Sequence, residues 1–372
     1  MTFTWEDHAH MARAIRLARL GLYTTDPNPR VGCVLVRDGE VVGEGWHRKA
    51  GEPHAERLAI AAAGEKARGA TAYVTLEPCC HHGKTPPCTA GLLEAGVSRV
   101  VAAMDDPNPL VAGKGLALLA EAGVETASGL LREEAEELNP GFIKRMKTGL
   151  PWVRCKLAMS LDGRTAMASG ESLWITGDDA RRDVQRLRAR SSAVVTGIGT
   201  VLADDPSMNV RLKPEDLPGV ETPDYFRQPW RVVLDSSLRI PEQARLLSLE
   251  GPLCVIYSHG VEDKARRLQA RGIHVQQMPD GLDLPLVMEF LAGREINEVL
   301  IEAGPTLAGA ALRAGLIDEL IIYMAPHLMG HQARGLFHLP GLEKMADRIE
   351  LSIRDIRQVG KDFRITAVPA GE

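Results

Sequence analysis

Short apolar runs of strand-forming residues alternate with helix-forming stretches along this chain. One breaker-rich segment, NPGFIKRMKTGLP at 139–151, interrupts them. Alternation of that kind builds parallel sheets with helices packed on their faces. Before the break, strands are expected at 31–36, 71–76, 97–104 and from 124. Helices are expected at 6–20, from His54, from Cys88 to a stop at Gly96, at 115–122 and at 131–138. Asp38-Gly39 ahead of Val41-Val42 reads as a hairpin turn. After the break, strands are expected at 152–159, 193–198, 230–235, 253–257, 273–276, 298–302 and 319–324, with helices near 178–190, 262–271, 284–293 and 306–314. The 372 residues therefore divide into two α/β domains, 1–148 and 149–372.

Hydrophobic residues make up 45% and charged residues 25%, which excludes wholesale disorder and fibrous structure. A net charge of −5 argues against a basic nucleic-acid binder. No apolar run is long enough for a bilayer, and MTFTWEDHAHMARAIRLARL lacks the apolar centre of a signal peptide. The expected setting is the cytoplasm, without a membrane or nucleic-acid partner. The oligomeric state stays open, a homo-oligomer included. In a reducing compartment the six cysteines are not a disulfide framework. Cys33, Cys155 and Cys254 sit singly in apolar runs and read as small buried hydrophobes. Cys79, Cys80 and Cys88 cluster instead in a loop rich in Pro, Gly and His, as metal ligands do.

The sharpest signal is His54-Ala55-Glu56 together with Glu77-Pro78-Cys79 and Cys88. A catalytic zinc takes three protein ligands and keeps one position for water, whose pKa it lowers toward 7. His54, Cys79 and Cys88 supply three. Glu56, two residues past the histidine, can reach that water without ligating the metal. H-x-E with P-C…C is the signature of zinc-dependent nucleobase deaminases. Eight residues separate the cysteines here, where the general signature has two. Cys80 is an alternative ligand, but adjacent side chains rarely converge on one tetrahedral centre. A purely structural zinc would require a fourth ligand, and His81 or His82 could supply it. Gly83-Lys84-Thr85 is not a P-loop, and no Gly-x-Gly pair carries the third glycine of a dinucleotide fingerprint.

PNPRVGCVLVRDG, GEPHAE, TLEPCCHHGKTPPC and DPNPLVAGKG, with KLAMSLDGRTAMASGESLWIT, TVLADDP and EAGPTLAGA, resemble the bifunctional riboflavin-biosynthesis deaminase–reductases of bacteria. The likeness covers nearly the whole chain. Its long Cys-Pro-rich loop accounts for the eight-residue gap, and Cys80 stands where that family usually has Ser. The resemblance implies a cytidine-deaminase-like three-layer domain followed by a dihydrofolate-reductase-like domain. It also implies two consecutive reactions. Zinc-dependent hydrolysis would remove the 2-amino group of a diaminopyrimidinone bearing a ribosylamino 5'-phosphate, and NADPH would then reduce the ribosyl group to ribityl.

By the same resemblance, Asn28, His47, His81 and Lys84 would contact the deaminase substrate. Ala158, Trp174, Thr200, Asp204 and the segment Gly304, Pro305, Thr306, Leu307, Ala308, Gly309 and Ala310 would line the NADPH site. Ser172, Arg188 and Arg211 would hold the ribose phosphate, as guanidinium forks match phosphate oxygens. Lys156, Asp204 and Glu302 are the ionisable candidates near the reacting carbon, with Glu302 also against the substrate. The competing enzyme reading is a zinc deaminase of tRNA or nucleosides with an accessory C-terminal domain. The non-enzymatic reading is a zinc-stapled binding protein with four protein ligands.

Overall fold

A computed structural model of the chain describes residues 3–81 and 86–370. It contains two compact units. Unit 1 comprises 1–149 together with 213–227, and unit 2 comprises 150–212 and 228–372.

Unit 1 runs α1 (Trp5–Arg19), β1 (Gly32–Arg37), β2 (Glu40–Trp46), α2 (Ala55–Ala63), β3 (Thr71–Val74), α3 (Cys88–Ala95), β4 (Arg99–Ala102), α4 (Lys114–Glu121), β5 (Glu125–Ser128), α5 (Arg132–Glu136) and α6 (Pro140–Thr148). The sheet order is β2-β1-β3-β4-β5. Only β3, β4 and β5 are parallel neighbours; β1 runs antiparallel to both β2 and β3. The Asp38-Gly39 turn folds β2 straight back on β1, as the hairpin reading expects, so the sheet is mixed, with the parallel strands of the alternation at β3, β4 and β5. Strand residues alternate between two cores. Val34, Val36, Tyr73 and Val101 meet α1 and Phe142 of α6, whereas Cys33, Leu35, Val74 and Val100 meet α2, α3 and α4. The result is a three-layer α/β/α unit.

The structure corrects one expectation here. The acidic helix α5 does end before Asn139-Pro140, but the segment read as helix-breaking is itself a helix, α6, with Pro140 at the first helical position, where its missing N–H costs nothing. The Asn139 amide is spent far along the chain, accepting from the Arg30 N–H at 2.8 Å and donating to the Arg30 carbonyl at 2.9 Å.

Unit 2 runs β6 (Trp152–Ser160), β7 (Arg164–Ala166), α7 (Asp178–Arg190), β8 (Ala193–Gly197), α8 (Ile198–Asp204), β9 (Trp230–Leu234), β10 (Leu253–Tyr257), α9 (Glu262–Ala270), β11 (His274–Gln277), α10 (Leu284–Ala292), β12 (Glu298–Glu302), α11 (Pro305–Arg313), β13 (Glu319–Ala325), β14 (Arg334–Gly335), β15 (Leu351–Val359) and β16 (Asp362–Pro369). Nine strands form one sheet in the order β11-β10-β9-β8-β12-β6-β13-β16-β15. The first seven are parallel, and β16 and β15 add an antiparallel edge. One face packs on α10 and α11, and the other on α7, α8 and α9. Cys33, Cys155 and Cys254 are all buried in these cores.

Candidate functional sites

In unit 1, His54 occupies the N-cap position of α2 with extended backbone, and Glu56 lies in the first helical turn. Cys88 is the first residue of α3. His54 Nδ1 lies 3.6 Å from Cys79 Sγ and 3.3 Å from Cys88 Sγ. Among the described residues, this trio is the group whose ligand atoms all fall within 4.8 Å of one another. Two helix N-termini face the cluster, and their partial positive charge favours thiolates. Hydrogen bonding from Cys88 holds the Cys79 thiol down to about 4, helped by His54. Glu56 is 3% exposed, and its Oε2 has no hydrogen-bond partner. Burial pushes that carboxyl up, against the pull of His54. A buried carboxylate oxygen without a hydrogen-bond partner, beside a set of metal-ligand side chains, makes Glu56 the candidate acid–base group of this site.

The loops beside the cluster carry Asn28 and His47. Asn28 Nδ2 donates to His47 Nε2 at 3.0 Å, and His47 Nδ1 lies 3.3 Å from the Pro53 carbonyl. Those partners assign a neutral ring with its proton on Nδ1. Burial, with His54 close by, pulls the His47 pKa down to about 4. The His47 and His54 rings meet edge to face, their centroids 5.2 Å apart. His81 is exposed and Cys80 half-buried. Lys84 and His82 lie outside the described residues.

Glu77 is the residue whose role sequence reasoning missed. Its buried carboxylate accepts four backbone amides: Asp106 at 3.0 Å and Gly113 at 2.8 Å on Oε2, Gly115 at 2.8 Å and Leu116 at 3.2 Å on Oε1. It ties the peptide leading into Cys79 to the start of α4. The only signal for it in the sequence is its place in E-P-C.

In unit 2, Lys156 and Ala158 on β6, Glu302 at the end of β12, and Thr200 and Asp204 just after β8 lie toward the carboxyl ends of the strands, where open α/β sheets bind ligands. Lys156 on β6 is the register partner of Glu302 at the end of β12, and Ala158 follows on the same face. Arg188 of α7 grips Glu302 with both prongs, Nε to Oε1 at 2.5 Å and Nη2 to Oε2 at 2.9 Å. Burial alone would raise the Glu302 carboxyl, but Arg188, Lys156 and Arg211 together hold it below the ordinary value. Burial draws Lys156 down, opposed by Glu302. Arg188 also donates to the Asn209 carbonyl at 3.1 Å, and Arg211 donates to the Asn209 side chain at 3.2 Å. Arg188 thus spends its fork on a carboxylate, while Arg211 is exposed.

The remaining candidates divide by exposure. Trp174 is exposed and stacked against Arg181, and Ser172 is half-buried. Thr200 and Asp204 lie on α8, which follows β8 directly. Burial raises the Asp204 carboxyl. Gly304 caps α11, Pro305 opens it, and nothing lies within 4 Å of where a Gly304 Cβ would sit. A ligand can reach the backbone there. Thr306 and Ala310 are exposed and Leu307 is half-buried. Ala308 is packed in the core, and a Gly309 Cβ would meet the His338 carbonyl oxygen at 2.2 Å, so these two face protein.

Known proteins share this pairing of domains. Residues 4–104 match the cytidine and deoxycytidylate deaminase zinc-binding region, and residues 151–365 match the RibD C-terminal domain. The riboflavin biosynthesis protein RibD of Escherichia coli K12 is 53% identical over 368 residues, 98% of this chain and 100% of that protein. The chain belongs to the RibD family. RibD of Haemophilus influenzae is 52% identical over 375 residues, covering 100% of both chains. The structure of Acinetobacter baumannii RibD superposes with a TM-score of 0.92 at 47% identity, over 98% of this chain and 99% of that one. A Thermotoga maritima structure described as a diaminohydroxyphosphoribosylaminopyrimidine deaminase/5-amino-6-(5-phosphoribosylamino)uracil reductase superposes with a TM-score of 0.85 at 33% identity, over 98% and 99% of the two chains.

As a RibD family member, this chain is a bifunctional riboflavin-biosynthesis enzyme, a zinc-dependent deaminase and an NADPH-using reductase. The reading as a tRNA or nucleoside deaminase with an accessory domain falls, because the C-terminal region is a RibD reductase domain. The zinc-stapled binding protein falls with it. The residues fit both cofactors. One imidazole and two thiols are a zinc donor set beside a carboxylate with an unpaired oxygen, and the open backbone at Gly304 suits a cofactor phosphate. Among the described residues, no helix is long and apolar enough to cross a membrane.

Proposed function

We propose that unit 1 hydrolyses the 2-amino group of 2,5-diamino-6-ribosylamino-pyrimidinone 5'-phosphate. In this reading unit 2 then reduces the ribosyl group of the product to ribityl. Along the sequence the deaminase is assigned to residues 1–148 and the reductase to 149–372, apart from 213–227, which pack into unit 1. The observation that carries the reading is the close trio His54, Cys79 and Cys88 beside Glu56, whose Oε2 has no hydrogen-bond partner.

Zinc, when bound, supplies a Lewis acid that makes water a nucleophile near neutral pH. The chain supplies the rest. Glu56 takes the proton of the attacking water and delivers it to the departing amine. His47, neutral and anchored on Pro53, holds Asn28, whose amide oxygen and second N–H read the pyrimidine edge. His81 and Lys84 are assigned to contacts with the substrate, Lys84 to its phosphate.

NADPH, when bound, supplies the hydride for the second step. Ala158, Trp174, Thr200, Asp204 and the exposed part of the Gly304–Ala310 segment line its site. Ser172 and Arg211 hold the ribose phosphate, with Arg188 behind them. Glu302, fixed by Arg188, stays ionised and orients Lys156, whose lowered pKa suits proton transfer at the opening ribose. The enzyme acts on a small molecule in the cytoplasm, engages neither nucleic acid nor membrane, and a homo-oligomer is compatible with this reading. Supplying the diaminopyrimidine ribose phosphate with and without NADPH tests it. The ribityl product should form only with NADPH, and the deaminated ribosyl compound should accumulate without it.

A further inference from the structure

Residues 213–227 lie within the stretch that matches the reductase domain, yet they belong structurally to unit 1. We propose that this strap is a positioning element of the deaminase site. Resting on the deaminase reading above, the proposal is that the strap sets substrate binding by clamping from outside the two loops that carry Asn28 and His47.

The strap is anchored by its backbone first. Gly219 has φ +82°, and a Cβ there would fall 1.9 Å from the Leu20 carbonyl oxygen, so only glycine lets the chain pass over the end of α1. Leu217 and Val220 on either side are 3% and 7% exposed. Polar attachments then land on the loops themselves. Arg48 pairs with Glu221 at 3.1 Å, and Lys49 Nζ donates to the Asp224 carbonyl at 2.8 Å. The same ammonium lies 5.8 Å from the centroid of the Tyr225 ring. The Tyr225 hydroxyl donates to Glu52 at 3.1 Å, and Arg227 pairs with Asp26 at 3.8 Å.

The placement of these partners carries the argument. Arg48, Lys49 and Glu52 fill the loop between His47 and His54, and Asp26 is two residues before Asn28. Inside, the two loops are joined by the Asn28–His47 hydrogen bond, and His47 closes its own loop on Pro53. Outside, the strap holds both. Each exposed ion pair alone contributes little. Several of them on two short loops, beside a backbone contact without side-chain slack, fix where Asn28 and His47 stand. Misplacing such groups by an ångström weakens productive binding steeply.

The test uses the full-length, zinc-loaded protein and Gly219→Val, which blocks the passage over Leu20. A milder double variant, Glu221→Ala with Tyr225→Phe, leaves the backbone intact should Gly219→Val fold poorly. Deamination and NADPH-dependent reduction are assayed on the same samples, with zinc content and hydrogen exchange of the 47–53 amides. Gly219→Val should raise the deamination KM by about tenfold, with zinc retained and reduction of supplied deaminated substrate unchanged. The double variant should raise KM by about threefold, and both should speed exchange at 47–53. An unchanged deamination KM in either folded variant, or parallel loss of both activities, would overturn the proposal. If the unmodified protein does not deaminate the diaminopyrimidine, the deaminase reading falls and this inference with it. If it does and the variants match it, only the strap's role falls.

Discussion

Glu77 Oε1 accepts the Gly115 amide at 2.8 Å, and a Cβ on Gly115 would lie 2.1 Å from the Pro78 carbonyl oxygen. The peptide that presents Cys79 is thus pressed directly onto the start of α4, with a carboxylate as the fastener. Glu77→Gln keeps the shape but turns an amide NH₂ toward backbone donors. Hydrogen bonds to a charged acceptor are worth more than neutral ones, and a buried donor facing a donor is costly. The expected destabilisation is about 3 kcal/mol by denaturant unfolding. Zinc should leave the variant faster in a chelator-exchange measurement. A variant as stable as the parent, with unchanged zinc release, would show that Glu77 does not hold the site.

The ligand assignment separates two neighbouring cysteines. The protein should carry about one zinc per chain. Cys88→Ser should lose both metal and deamination. Cys80→Ser should keep both, since Cys80 lies outside the close trio. Metal analysis of the two variants decides it, and zinc loss in Cys80→Ser would require a different ligand set.

Acid stability of unit 1 should depend on Asp7. Burial works against its charge. The Arg99 guanidinium at 2.8 Å, the Thr4 amide and the Tyr73 hydroxyl at 2.7 Å prevail and hold its carboxyl down to about 2. A carboxyl lowered on folding stabilises the protein above its unfolded pKa, and that contribution fades as pH falls from about 4 to 2. Asp7→Asn should therefore cost about 2 kcal/mol at pH 6, with the gap to the parent closing toward pH 2. A gap that stays constant with pH would mean that packing, not charge, accounts for Asp7.

Much of the candidate site was legible because its chemistry is local and its residue types are rare. His54 and Glu56 stand two apart at a helix start, and both cysteines lie in one loop. The strand and helix alternation was legible wherever one apolar run meets one helix. What escaped depends on distant partners. Arg188 reads as one more charge in DDARRDVQRLRAR until Glu302, 114 residues on, takes both of its prongs. Asn139-Pro140 reads as a breaker because the partner of the asparagine is Arg30. Gly219 looks like an ordinary loop glycine, and nothing nearby in sequence says that Leu20 lies against it. The β15–β16 edge and α8 went unread as well, being short or charged and without a clean period.

The central claim is that Glu56 serves one reaction and the Lys156–Glu302 pair another. The direct measurement is NADPH consumption by Glu56→Gln and Glu302→Gln, each offered first the diaminopyrimidine ribose phosphate and then the deaminated compound. Glu56→Gln should retain zinc and slow deamination by about 10²–10⁴-fold, the usual worth of a positioned acid–base group, yet reduce the supplied deaminated compound normally. Glu302→Gln should deaminate normally and fail to consume NADPH. Loss of both activities in a folded, zinc-loaded Glu302→Gln protein, or undiminished NADPH consumption from the diamino substrate by Glu56→Gln, would contradict the account.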